Sequence, residues 1–265
     1  MKPTILLYDS GMGGLTVYDS IRESLPNAHY LYCFDNAYFP YSEKSENVVI
    51  ERASMIVQKI AQNYPVDIVV VACNTASTVV LPALRERFRM PIVGTVPAIK
   101  PAAEKSVNHH IGLLATKGTV QRSYVANLIE QYASHCIVEK LGSTKLVEIA
   151  EQKLHGKTVD LFALKEELSP WQQIQTLDTV VLGCTHFPLL KEEIKSCLPQ
   201  VKHFVDSGKA IASRVQYLLD NLQIKPNHSE ENLIFCTKSF DDQDKLLNIL
   251  ALWGFSHLCE LSELN

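Results

Sequence analysis

Two short stretches, Val-Val-Val-Ala-Cys-Asn-Thr at positions 69–75 and Val-Val-Leu-Gly-Cys-Thr-His at 180–186, each run a wholly apolar segment into a cysteine followed by hydrogen-bonding side chains. Cys184 follows Cys73 by 111 positions, and Asp178 follows Asp67 by the same interval, so aspartate, apolar run and cysteine recur in register. Runs this short do not make helices; they fit strands buried on both faces, as in a parallel sheet. The repetition predicts two similar halves, each ending a central strand on a thiol.

Further strands are expected at Ile5 to Tyr8, Ile92 to Val93, Ile111 to Ala115, Phe204 to Val205 and Leu233 to Cys236. Helical patterns lie between them. In the clearest, Val49, Ala53, Ile56, Val57, Ile60 and Ala61 recur at spacings of three and four. Others are expected after Gly14, Gly118 and Gly208 and over Leu246 to Trp253, and Pro188 suits a first helical turn. Alternation of strand and helix predicts an α/β protein: two similar lobes with mainly parallel sheets flanked by helices and an active-site cleft between them. The last strand and helix patterns carry no cysteine motif, so they are assigned to the first lobe, which becomes discontinuous: 1–95 plus 209–265, with the second lobe at 96–208. The stretch from Ile224 to Glu231, with Pro226, Asn227 and Ser229, reads as a loop.

With 46% hydrophobic and 20% charged residues over 265 positions, the chain can bury a sizeable core. A net charge of −4 supplies no basic field, so nucleic acid is not expected as the main ligand. No apolar run approaches the length of a signal core or a membrane span, and a cytoplasmic protein without membrane association is expected. Seven cysteines, none paired at the spacing of a zinc ribbon, read as reduced thiols.

The polar residues of interest share one kind of place. Asp9-Ser10, Cys73-Asn74-Thr75, Thr116 with Thr119, Cys184-Thr185-His186 and Asp206-Ser207 all fall where a strand gives way to a helix, the edge at which open α/β sheets bind ligands. The turn from Asp9 to Gly14 resembles half of a dinucleotide fingerprint. Thr16 takes the place of its third glycine, which leaves an anion site and a plain tight turn as equal readings. Two cysteines in matched contexts, each with amide, hydroxyl or imidazole neighbours, fit thiols whose protonation is managed. Cys33, Cys136, Cys197, Cys236 and Cys259 lack such neighbours and read as structural, and His109 and His110 read as solvent-facing. Cys184 and His186, with Asp9 or Asp206, have a conceivable metal spacing, but thiolate, Asn and Thr are a poor donor set for one ion, and no metal is expected.

Asp9-Ser10-Gly11, Pro40-Tyr41, Ala72-Cys73-Asn74-Thr75-Ala76-Ser77, the segment 112–119 and Gly183-Cys184-Thr185-His186-Phe187-Pro188 together resemble the glutamate racemase family of the cofactor-independent aspartate/glutamate racemase superfamily, over residues 5 to about 215. The resemblance implies interconversion of L- and D-glutamate without a cofactor, supplying D-glutamate for peptidoglycan synthesis and hence cell shape. It implies that Cys73 removes the α-proton of D-glutamate and Cys184 that of L-glutamate. It also implies that Asp9 and His186 assist the thiols, with Glu151 the third helper and Glu148 its alternative. Substrate contacts are implied for Asp9, Ser10, Tyr41, Ser42, Asn74, Thr75, Thr116, Thr119, Thr185 and His186. Glutamate is the expected partner, and a homodimer the assembly left open. The family usually reads Pro-Tyr-Gly where Ser42 stands; if that position needs a positive φ, the serine is strained. The alternatives are an aspartate or related racemase of the same superfamily, a dithiol redox protein, and a non-catalytic amino-acid sensor or inhibitor protein.

Overall fold

The computed structural model describes residues 2–224, 231–240 and 243–263, so most of the loop expected at 224–231 lies outside the described residues. Among the described residues, ten strands run in chain order: β1 Thr4–Asp9, β2 His29–Phe34, β3 Ile68–Val71, β4 Ile92–Gly94, β5 His110–Ala115, β6 Ile137–Gly142, β7 Thr179–Leu182, β8 His203–Val205, β9 Leu233–Cys236 and β10 Leu258–Glu260. They form two parallel sheets flanked by helices, an α/β architecture. The chain divides into two compact units, Met1–Thr95 with Gly208–Asn265, and Val96–Ser207. Among the described residues, no helix is long and apolar enough to cross a membrane.

The first unit holds the sheet β10-β9-β2-β1-β3-β4. Its central strands β1 and β3 are buried at every position, which is why they read as unbroken apolar runs. The helix Glu46–Asn63 begins at Ser45, whose side chain accepts from the Val48 amide, and buries Val49, Ala53, Ile56, Val57 and Ile60 against this core. Strand β1 lies between β2 and β3, so the strand order reverses there. Tyr8 pairs with Val71, and the Ala72 amide donates to the Tyr8 carbonyl. Asp9-Ser10 and Cys73 are thereby set side by side at a topological switch point.

The second unit repeats the device in the sheet β6-β5-β7-β8, where β5 lies between β6 and β7. Leu114 pairs with Leu182, and the Gly183 amide donates to the Leu114 carbonyl over 2.7 Å, which brings Thr116 beside the segment leading to Cys184. The two aspartates that keep the 111-residue interval have a structural task. Asp67 accepts from the Thr4 amide at the start of β1, and Asp178 accepts from Ser106 Oγ and from the amides of Val107 and Asn108 just before β5. Each carboxylate clamps the entry of the strand beside its own.

Strands β2, β6 and β10 are additions to the sequence reading. β2 carries two tyrosines and a histidine among its six residues, and β6 and β10 are partly exposed edge strands without apolar runs. His110 also corrects that reading: it opens β5 buried, with Nδ1 2.8 Å from Thr176 Oγ1, while His109 beside it is exposed.

Candidate active site

In the first unit, Cys73 stands at the N-terminus of the helix Asn74–Arg87, and its Sγ accepts from the Ala76 amide at 3.5 Å. The positive end of the helix dipole therefore lies at the sulfur. Ser10 Oγ is 3.7 Å away, and both residues are buried. Asp9, fully buried, accepts from the Ser10 amide at 2.7 Å and from the Gly14 amide at 2.6 Å. These bonds turn the Gly-rich segment inward, so two of its amides are spent on Asp9, which favours the tight-turn reading over the anion site. A Cβ on Gly14 would meet Tyr32 Oη at 2.7 Å and Asp9 Oδ2 at 2.9 Å, which is why the turn needs glycine there.

Two buried donors of the first unit have no partner: Asn74 Nδ2, on the residue following Cys73, and Ser42 Oγ. A buried polar atom without a hydrogen bond costs about 1–3 kcal/mol, so both read as groups kept for a ligand. Thr75 is buried next to Asn74. Ser42 lies in a short 3₁₀ turn, Tyr41–Glu43. Among the described non-glycine residues, positive φ occurs at His109 alone, so the strain considered for Ser42 is absent. Ser42→Gly is accordingly expected to lower stability by about 0.5–1 kcal/mol through added backbone freedom. It should also raise the KM for the substrate without a gain in kcat, read from thermal unfolding and initial rates.

Tyr41 is held by a network that sequence reasoning missed. Its hydroxyl donates to Asp35 Oδ2 at 2.6 Å and also meets the Tyr8 hydroxyl. Burial, with Tyr8 and Asp35 adjoining, pushes the Tyr41 phenol well above its ordinary range and keeps it a donor. Asp35 is fully buried and takes Arg52 through both oxygens, at 2.9 and 2.7 Å, and Thr237 Oγ1 at 2.6 Å. The available signal was an apolar run ending in Asp35-Asn36, the pattern already noted at Asp9-Ser10.

In the second unit, Cys184 follows β7, with His186 Nδ1 3.8 Å from its sulfur. Nε2 of the same ring lies 2.6 Å from Glu151 Oε2, on the helix Lys145–Leu154. Glu148 instead faces Lys145 on the exposed side of that helix. Burial of the imidazole disfavours its charge, but the Cys184 thiol and the Glu151 carboxylate outweigh burial and hold His186 well above the ordinary histidine range. By linkage, the stability this adds is fully present below about pH 6.5 and is lost as pH rises through the raised folded value. Thr185 is buried in the same turn. Thr116 and Thr119 are engaged with each other: Thr116 Oγ1 donates to Thr119 Oγ1 at 2.9 Å and accepts from the Thr119 amide, capping the short helix Lys117–Val120.

The arrangement supplies two thiols, each with its own means of charge management. One has a helix N-terminus and a serine; the other has an imidazole oriented by a carboxylate. Against known proteins, residues 10–215 match the family model described as Asp/Glu/hydantoin racemase. The chain is 67% identical over 261 residues to a glutamate racemase of Pasteurella multocida, covering 98% of this chain and 97% of that one. Among solved structures, Escherichia coli glutamate racemase in complex with L-glutamate and the activator UDP-MurNAc-Ala aligns with a TM-score of 0.95 at 52% identity, over 98% of both chains. The Francisella tularensis glutamate racemase bound to D-glutamate aligns at 0.76 and 25% identity, over 97% of this chain and 96% of that one.

Proposed function

The chain belongs to the Asp/Glu/hydantoin racemase family, and from that premise we propose that it is a glutamate racemase, interconverting L- and D-glutamate and supplying D-glutamate for peptidoglycan synthesis. Inverting Cα means removing a proton from one face and delivering one to the other. A single base returns the enantiomer it started from, so two are needed. Cys73 takes the proton of D-glutamate and Cys184 that of L-glutamate, each acting as acid when the other acts as base. Free thiols titrate near 8.5, close enough to neutrality for one to be thiolate while the other is thiol.

Without an electron sink, the protein itself lowers the cost of the carbanion. A turnover of roughly 10 s⁻¹ corresponds to a barrier of about 16 kcal/mol, and one preorganised donor supplies about 3–4 kcal/mol. Several donors must converge on the substrate carboxylate as it takes on enolate character. Asn74 Nδ2 and Ser42 Oγ, buried without partners, are the observation that most supports this reading, and Ser10, Thr75 and Thr185 are assigned to the same task. Asp9, His186 and Glu151 manage the thiols, with Tyr41 closing the first unit's side of the substrate. Thr116 and Thr119 shape the loop after β5.

The test is to incubate purified protein with L-glutamate and chelator and follow circular dichroism. The signal is expected to decay to zero, with aspartate at least about 100-fold poorer in kcat/KM. A missing methylene accounts for about 1–3 kcal/mol, and the rest comes from site hydrogen bonds left unpaired. Comparable rates with aspartate would assign the chain to the other branch of the family, and activity restored only by added metal would defeat the two-thiol mechanism.

A further inference from the structure

We propose that His109, His135 and Cys136 form a binding site for one zinc-type transition-metal ion, at the opposite end of the second sheet from Cys184. The ligand atoms of the three residues all lie within 4.8 Å of one another. They come from two segments that strand pairing brings together: His110 pairs with Ile137, so His109 and Cys136 stand one step before adjacent strands β5 and β6. The backbone is fixed at both, by Ile137 N donating to the His109 carbonyl at 2.8 Å and Cys136 N donating to the Ala133 carbonyl at 2.9 Å.

His109 carries a second indication. Its φ of 52° places it in the left-handed region that side-chain-bearing residues avoid, and no other described non-glycine residue does so. Strain of this kind concentrates at ligand clamps. Here it holds the ring against His135, with centroids 5.4 Å apart and planes at 74°. Cys136, structural by its sequence context alone, is half-buried beside them.

Two imidazoles and a thiolate are a borderline-soft set suited to zinc and its neighbours, and the exposed position leaves a fourth place for water. Metal bonds of 2.0–2.3 Å in tetrahedral array require ligand atoms about 3.3–3.8 Å apart. The three must therefore close by at most about 1–1.5 Å, a rotation that the exposed rings of His109 and His135 allow. On binding, the thiol releases its proton to solvent and sulfur donates to the ion, with no change of oxidation state. The ion would pin the start of the edge strand β6 to β5, and the proton transfers at Cα do not pass through it.

The test uses the full chain, reduced and stripped with chelator, titrated with Co²⁺ and then Zn²⁺. Because Cys184 and His186 form another sulfur–nitrogen pair, the Cys184→Ala variant is titrated alongside. One Co²⁺ per chain is expected, with a near-ultraviolet thiolate charge-transfer band that Zn²⁺ displaces and that persists in Cys184→Ala. His135→Ala and Cys136→Ser should each weaken binding at least about tenfold, the lower bound seen even for outer-shell partners of metal ligands. His135 is exposed, so its replacement should leave the far-ultraviolet spectrum and racemisation unchanged. Absence of Co²⁺ uptake would overturn the proposal, as would a band that survives His135→Ala and Cys136→Ser but vanishes in Cys184→Ala.

Discussion

Replacing either Cys73 or Cys184 by alanine is expected to lower racemisation of glutamate at least about 10⁴-fold in both directions, the upper range for loss of a positioned acid or base. In the proposed mechanism each turnover uses one thiol as base and the other as acid, so neither direction survives the loss of either. Both residues are buried but small, and thermal unfolding should stay close to that of the parent protein. In deuterated water, product formed early by the unaltered enzyme should carry deuterium at Cα while recovered substrate carries little. Delivery comes from the thiol that has exchanged with solvent, and return comes from the thiol that has just taken the substrate's own proton. Deuterium entering substrate and product equally fast from the outset would indicate one exchangeable base. Substantial racemisation by either alanine variant would end the two-base assignment.

The parts of this mechanism differ in how far the chain itself discloses them. Asp9-Ser10, Cys73 and Cys184 are legible because each directly follows a strand buried on both faces, and a buried parallel strand is an apolar run with an abrupt end. Strand β2 escapes such a reading because its tyrosines and histidine bury their rings while satisfying their polar atoms, as Tyr30 Oη does on the Leu25 carbonyl and Tyr32 Oη on the Gly11 carbonyl. Strand β6 escapes because an edge strand need not be apolar. Side-chain partnerships across long separations have no local signature. Glu151 meets His186 from 35 residues away, and Arg52 and Thr237 meet at Asp35 from 17 and 202. Family resemblance supplied Glu151, whereas nothing supplied Asp35. The serine at position 42 shows the reverse hazard: a departure from the family pattern suggested strain, but a 3₁₀ turn at negative φ accommodates either residue.

His186→Asn should lower kcat/KM by about 10²–10⁴-fold, since it removes the imidazole that lies 3.8 Å from the Cys184 sulfur and is proposed to assist that thiol. The fall must be the same from either enantiomer, because L- and D-glutamate have equal free energy in water and the equilibrium constant is unity. The asymmetry has to appear elsewhere. With Cys184 impaired, its proton transfer becomes the highest barrier on the path. Starting from α-deuterated L-glutamate, that transfer breaks the labelled bond, and a full primary isotope effect on kcat/KM is expected. Starting from α-deuterated D-glutamate, Cys73 breaks the labelled bond before the highest barrier, and the effect should shrink toward its equilibrium value while the solvent isotope effect grows. Glu151→Gln, which keeps the shape but removes the charge facing Nε2, should produce the same pattern with a smaller loss. Equal substrate isotope effects in the two directions, or a kcat/KM within about threefold of the parent, would mean that His186 only packs against the loop. An unequal pair would tie the imidazole to one face of Cα, because a defect in folding or in general substrate binding slows both proton transfers alike and leaves their order unchanged.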